Sequence, residues 1–131
     1  MDDSPDRRTE QRLRYHWPIW FAEDFQGELA QGQMVDVSSR GAAFTCRADD
    51  TCPSLGQHIT TRFSVPRYGE DDSFDMANFS RSAHICRVDH VNYYLRRIAI
   101  QFVEALPFKP GEQDENRIRP DIAEQLEAAT P

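Results

Sequence analysis

Hydrophobic and polar residues alternate along much of the chain. The clearest segments are His58–Val65 and Tyr94–Val103, in which every second side chain suits a buried position. Side chains two residues apart in a strand share a face, so this period of two predicts strands with one buried and one solvated side. The predicted inward residues are Ile59, Thr61, Phe63 and Val65 in the first segment, and Ile98, Ile100 and Phe102 in the second.

Four more segments are predicted to be strands: Arg14–Ala22, Glu28–Ser38, Ala42–Cys46 and Ala77–Asp89. Pro18 lacks a backbone donor, so the first of them contains an edge or a bulge. Loops are predicted at Arg47–Gly56 and Pro66–Met76, which are rich in turn-forming and acidic residues. No segment of helical period separates the strands, and the pattern therefore predicts an antiparallel sandwich or barrel.

The two ends of the chain carry a different pattern. Residues 1–6 are polar and are expected to be disordered. Residues 107–131 are predicted to be a proline-containing linker followed by a short helix over residues 121–129, with Ile122 and Leu126 on one stripe. We expect this helix to pack on the barrel, with docking to a partner as the alternative.

The net charge of −7 and the pI near 5.0 exclude most polyanion-binding proteins, including a small barrel that binds single-stranded nucleic acid. No apolar run is long enough to span a membrane, and the charged N-terminus is not typical of a signal peptide. Three cysteines, an odd number at no metal-ligand spacing, indicate a reducing compartment. These features together predict a cytoplasmic protein.

The first candidate site is a DxSxxG pattern formed by Asp36, Ser38 and Gly41. In an extended strand, Asp36 and Ser38 share one face while Val35 and Val37 point into the core. Gly41 permits a sharp turn or the close approach of a ligand. Polar turns use the same residue types, so the pattern alone indicates little.

The second candidate site is an RxxxR pattern formed by Arg8 and Arg12, which share a face at this spacing. Residues 7–14 contain four arginines and one glutamate, Glu10. Such a local cluster suits a small anion with two phosphates, even in an acidic chain. The segment has little to bury, and we expect it to be mobile without a ligand.

RxxxR followed by DxSxxG, ahead of a series of strands, resembles the PilZ domain family of bacterial cyclic di-GMP receptors. The resemblance covers residues 7–106 and implies a six-stranded antiparallel barrel with a flexible basic N-terminal arm. The ligand-contacting residues that it implies are Arg8, Arg12, Asp36, Ser38 and Gly41. A polar arginine at position 7 is associated in the family with two intercalated ligand molecules. Arg40 and Arg87 are further candidates for phosphate or stacking contacts.

The resemblance predicts a receptor that signals through an unidentified protein effector and requires no cofactor. A PilZ-like adaptor that binds no nucleotide is the alternative. Enzymatic interpretations are disfavoured because the sequence has no nucleophile elbow, P-loop or GxGxxG pattern. His84 and His90 lack a third metal ligand at a useful spacing.

Overall fold

The computed structural model describes residues 10–23, 29–68 and 74–113. These residues form antiparallel strands and one short 3-10 turn. The strands are β1 (Leu13–Arg14), β2 (Pro18–Ala22), β3 (Ala30–Val37), β4 (Gly41–Arg47), β5 (His58–Tyr68), β6 (Phe74–His90) and β7 (Leu95–Phe102), and the 3-10 turn spans Pro110–Glu112. The predictions for residues 1–6 and for the helix at 121–129 concern residues outside these ranges.

Six of the strands close into a barrel. The hydrogen-bonded order runs from β3 through β2, β5, β6 and β7 to β4, and β4 pairs again with β3. The short strand β1 pairs with the C-terminal half of β3. The predicted six-stranded antiparallel barrel is confirmed, and its closure leaves these six strands without an open sheet edge.

The barrel interior contains the alternating apolar side chains. The inward sets predicted for β5 and β7 are confirmed: Ile59, Thr61, Phe63, Val65, Ile98, Ile100 and Phe102 are buried. Phe63 stacks on Phe102 with ring centroids 5.4 Å apart, although β5 and β7 are not neighbouring strands. The core is therefore continuous across the barrel, and the outward side chains of β4 and β7 are free to form a surface site.

The first predicted strand is divided. Leu13–Arg14 and Pro18–Ala22 both pair with β3, and the chain is irregular between them. Tyr15 fills this break: it is 1% exposed, and its hydroxyl donates to the Ser64 carbonyl oxygen at 2.6 Å. Burial raises the pKa of Tyr15 well above its ordinary value. This side chain anchors the end of the basic segment to the barrel.

A β-bulge in β3 corrects one prediction. The pairing between β3 and β4 shifts between Met34 and Asp36, which leaves Val35 as an extra residue. Met34 and Val37 are therefore the buried residues, and Val35, predicted to point inward, is only half-buried. Strict alternation fails at a bulge because one residue has no partner on the neighbouring strand. The bulge places Asp36 on the outer surface, next to the turn that follows β3.

The β5–β6 hairpin is longer than predicted. Pro66, Arg67 and Tyr68 pair with Met76, Asp75 and Phe74 in regular antiparallel register. The loop predicted at Pro66–Met76 is therefore wrong for residues 66–68 and 74–76, which are strand. Pro66 is buried, and its carbonyl oxygen accepts a hydrogen bond from the Gln113 side chain at 2.8 Å.

The segment after β7 lies against the barrel. Leu106 and Pro110 are buried, and the Gln113 side chain also accepts a hydrogen bond from the Tyr68 backbone at 2.8 Å. These contacts bring the 3-10 turn next to β1 and β5. Among the residues with described structure, no helix is both long and apolar enough to cross a membrane.

Candidate functional site

A tight turn between β3 and β4 carries the DxSxxG motif. The Ser38 N–H donates to the Gly41 carbonyl oxygen at 2.8 Å, which places Ser39 and Arg40 at the tip. The Ser38 hydroxyl accepts a hydrogen bond from the Arg40 N–H at 3.3 Å and is 3.4 Å from the Gly41 carbonyl oxygen. Ser38 is 5% exposed, so its hydroxyl shapes the turn from within.

Gly41 is required by the neighbouring strand. A Cβ atom at this position would lie 2.3 Å from the Ile100 carbonyl oxygen, closer than real Cβ contacts allow. The turn is held from the same side by Phe102, whose N–H donates to the Arg40 carbonyl oxygen at 2.8 Å. The structure therefore gives Gly41 a packing role on β7, which the sequence pattern did not indicate.

The described part of the basic segment, Glu10–Arg14, is docked on this turn. The Glu10 carboxylate accepts hydrogen bonds from the Ser39 N–H at 2.7 Å and from the Ser39 hydroxyl at 2.6 Å. The Gln11 N–H donates to the Glu112 carboxylate at 2.8 Å. Residues 10–14 thus have defined contacts with the barrel, and the mobility expected for residues 7–14 stays a prediction.

An ion pair joins the two motifs. Arg12 Nε lies 2.7 Å from Asp36 Oδ1, and Arg12 Nη1 lies 3.3 Å from the Ser38 hydroxyl oxygen. The two charged side chains are 23% and 14% exposed, so water screens the pair only in part. The carboxylate fixes the guanidinium plane of Arg12 beside the DxSxxG turn.

A second arginine contacts Asp36, and sequence reasoning missed it. Arg97 on β7 has its Nη2 atom 3.4 Å from Asp36 Oδ2, and its side chain is 45% exposed. The alternation of β7 predicts that Arg97 points outward, opposite to Ile98. Its proximity to Asp36 depends on the pairing of β7 with β4 and of β4 with β3, which the sequence alone does not specify.

The sequence matches the PilZ domain over residues 6–114. That match covers most of the chain and includes both motifs. The chain belongs to the PilZ domain family.

Two solved structures are similar to this chain. The inhibitor of motility from Bacillus subtilis (MotI/DgrA) is similar, with a TM-score of 0.59 at 14% identity, over 94% of this chain and 49% of that chain. This chain thus spans about half the length of that protein, and the likeness concerns the fold alone. The PilZ domain of YcgR from Escherichia coli, solved with c-di-GMP, has a TM-score of 0.48 at 12% identity, over 92% of this chain and 86% of that chain. A comparison with curated proteins finds no match.

The outer face of the PilZ barrel extends the site beyond the motifs. Asp36, Ala43, Ala99 and Arg87 pair in sequence across β3, β4, β7 and β6 and form one row. Three strand spacings separate the ends of the row, about 14 Å. The two alanines form a low floor between a carboxylate and a guanidinium, and this floor is partly covered, since Ala43 is buried and Ala99 is half-buried.

The two further arginine candidates are both accessible. Arg87 Nε is 2.9 Å from Asp89 Oδ1, and its side chain is 72% exposed. Arg40 is exposed at the tip of the turn. Arg7 and Arg8, which the family resemblance assigns to the ligand site, lie outside the described residues.

The described part of the site combines guanidinium donors with carboxylate acceptors. Arg12 and Arg97 carry two positive charges beside Asp36, and Glu10 places a second carboxylate on Ser39 of the same turn. Guanidinium groups donate in a planar fork that matches phosphate oxygens and the acceptor edge of guanine.

Proposed function

We propose that this PilZ domain is a cyclic di-GMP receptor that signals through contact with another protein. The observation that supports it most is the Arg12–Asp36 ion pair, with the Arg12–Ser38 hydrogen bond beside it. These contacts bring Arg12 of the RxxxR pattern next to Asp36 and Ser38 of DxSxxG, which are far from it in sequence.

Arginine and carboxylate groups together select guanine. An arginine fork donates to guanine O6 and N7, a contact that discriminates against the wrong base by about 1–3 kcal/mol. Asp36 can accept from the N1 and N2 hydrogens on the opposite edge of guanine. Adenine has an amino donor where guanine has O6, so it would face the arginine with the wrong group.

The phosphates of the ligand need further cations. In this proposal Arg8 and Arg12 bind phosphate or guanine, Ser38 and Gly41 line the approach, and Arg40 and Arg87 add phosphate or stacking contacts at the rim. Binding in the micromolar range corresponds to about 8 kcal/mol, which two arginine contacts and base stacking can supply after ordering costs.

The proposed output is a change of the N-terminal arm that an effector protein detects. Ahead of β1, whose Leu13 is buried in the core, the arm is tied to the barrel by a few polar contacts of Glu10, Gln11 and Arg12. A ligand that competes for Arg12 would alter this docking. The three cysteines are free thiols, which a reducing compartment maintains, and we place the receptor in the cytoplasm.

Calorimetric titration of the protein with cyclic di-GMP tests the proposal. GMP is the control for the second nucleotide of the ligand. Cyclic di-AMP is the control for the identity of the base. We expect saturable binding of cyclic di-GMP at micromolar concentration or below, and much weaker binding of both controls. No heat from cyclic di-GMP would support the alternative, a PilZ-like adaptor that does not bind nucleotide.

We further propose that two stacked cyclic di-GMP molecules bind per chain. Two ligands bring four phosphate charges, and a third guanidinium at Arg7 would reduce their repulsion while the bases gain stacking area. Titration at protein concentrations far above the dissociation constant should give two equivalents for the parent and one for Arg7→Leu. One equivalent for the parent would disprove the two-ligand proposal and leave the receptor proposal intact.

A further inference from the structure

Asp36 has two arginine partners whose contacts differ. Arg12 is close to Oδ1, at 2.7 Å, and is 23% exposed; Arg97 is further from Oδ2, at 3.4 Å, and is 45% exposed. The longer, more exposed contact is the weaker one, since water competes for both partners. A ligand that binds Oδ2 therefore displaces the weaker of the two arginine contacts, and loses less interaction energy than a ligand that binds Oδ1.

Arg97 is well placed to meet a phosphate once it leaves Asp36. It points outward from β7, where it pairs with Thr45 of β4 on one side and Asp89 of β6 on the other. The row next to it holds Ala43, which is buried, and Ala99, which is half-buried, so only short side chains lie between Arg97 and Asp36 on this face. A guanidinium on a long flexible stem can move across such a floor without disturbing the backbone.

We propose that Arg97 is a ligand-binding residue outside the two motifs, which exchanges Asp36 for a ligand phosphate. This inference rests on the proposed cyclic di-GMP function and adds a contact to the same site. In the free protein, Arg97 partly neutralises Asp36. When guanine donors occupy Oδ2, the guanidinium of Arg97 turns to the phosphodiester of the same ligand. The exchange keeps both charged side chains paired in each state.

Two variants separate this role from a general effect of charge. Arg97→Ala should weaken cyclic di-GMP binding about tenfold or more, as expected for the loss of a charge-assisted hydrogen bond. Arg47→Ala removes the same charge from the exposed end of β4, on the same outer face, and should bind within about twofold of the parent. Both proteins should unfold at nearly the same temperature as the parent because exposed arginines contribute little to stability.

The salt dependence of the binding affinity distinguishes a ligand contact of Arg97 from a structural role, because a structural role would leave it unchanged. Binding by Arg97→Ala should weaken less between low and high salt than binding by the parent, since one ligand-facing cation is missing. Parent-like affinity for Arg97→Ala, or an equal loss for Arg47→Ala, would overturn the inference. Failure of the receptor proposal itself would look different: the parent and Arg12→Ala would then both fail to bind cyclic di-GMP.

Discussion

The DxSxxG turn and the Glu10–Arg14 arm meet at one site, but different kinds of contact hold them. The turn is fastened by backbone hydrogen bonds, from Ser38 to Gly41 and from Phe102 to Arg40. Apart from its two-residue strand β1, the arm is held by contacts that each involve a side chain. The Glu10 carboxylate accepts from Ser39, the Glu112 carboxylate accepts from Gln11, and Arg12 forms an ion pair with Asp36.

Because of this difference, changes in the turn should mainly affect the stability of the fold, and changes in the arm should mainly affect ligand binding. Backbone contacts of the turn belong to the ladder that closes the barrel, so disturbing them disturbs the fold. Side-chain contacts of the arm can be exchanged for contacts with a ligand at little loss elsewhere. The turn is therefore the fixed half of the site, and the arm is the half that can respond.

The largest expected effect contrasts two glycines with the same steric problem. A Cβ atom would lie 2.3 Å from the Ile100 carbonyl oxygen at Gly41, and 2.3 Å from the Gln11 carbonyl oxygen at Gly111. Gly41→Ala should lower the free energy of unfolding by about 3 kcal/mol because β7 cannot move away. Gly111→Ala should lower it by less, about 2 kcal/mol, because its Cβ meets only the Gln11–Arg12 backbone of the arm, which can shift, and it should also weaken ligand binding. Urea denaturation of both variants tests this, and equal losses of stability would refute the contrast.

Arg12→Ala should weaken cyclic di-GMP binding by about 1–3 kcal/mol or more while the fold persists. The variant removes the residue that joins arm and turn, and it leaves Asp36 paired with Arg97. Calorimetry of the variant and of Arg14→Ala, an exposed arginine two residues further along, measures the effect. Similar affinity losses for the two variants would show that only net charge matters.

Asp36→Ala should weaken binding by about 1–2 kcal/mol and relax the choice of base. Without the carboxylate, Arg12 loses its orientation and the guanine donors lose an acceptor. The ratio of the affinities for cyclic di-GMP and cyclic di-AMP is the quantity to measure, with Asp50→Ala, at an exposed carboxylate in the loop after β4, as the control. An unchanged ratio would mean that Asp36 positions Arg12 without selecting the base.

The smallest expected effect is that of Glu10→Ala, about 1 kcal/mol in the free energy of unfolding. Its loss leaves the N–H of the buried Ser39 without its acceptor, so the exchange of this amide with solvent should accelerate. Glu10→Gln keeps an acceptor oxygen and should show a smaller acceleration. Unchanged exchange at Ser39 in Glu10→Ala would indicate that the arm is held without this contact.

The sequence was sufficient for the regular parts of the fold. On β5 and β7 the alternation of side chains continues without interruption, so the buried faces could be assigned residue by residue. On β3 the same reasoning failed at Val35, because a bulge depends on the register with β4 and leaves no local signal.

The candidate site was predictable only where its residues belong to short motifs. Arg12, Asp36 and Ser38 carry such a pattern, and the structure brings them together. Arg97 contacts Asp36 across 61 residues of sequence, through the pairing of three strands. The hydrogen bond between Gln11 and Glu112 likewise depends on tertiary packing, since the two residues are 101 positions apart.

The claim that cyclic di-GMP binds where the arm meets the DxSxxG turn is tested most directly by amide hydrogen exchange with and without the ligand. This measurement reports both binding and its location. We predict that the amides of Gln11, Leu13 and Ser39 exchange more slowly when ligand is added. The amides of Ile59–Val65, on the other side of the barrel, should change little. Exchange at the arm and turn that is unaffected by saturating cyclic di-GMP would contradict the claim.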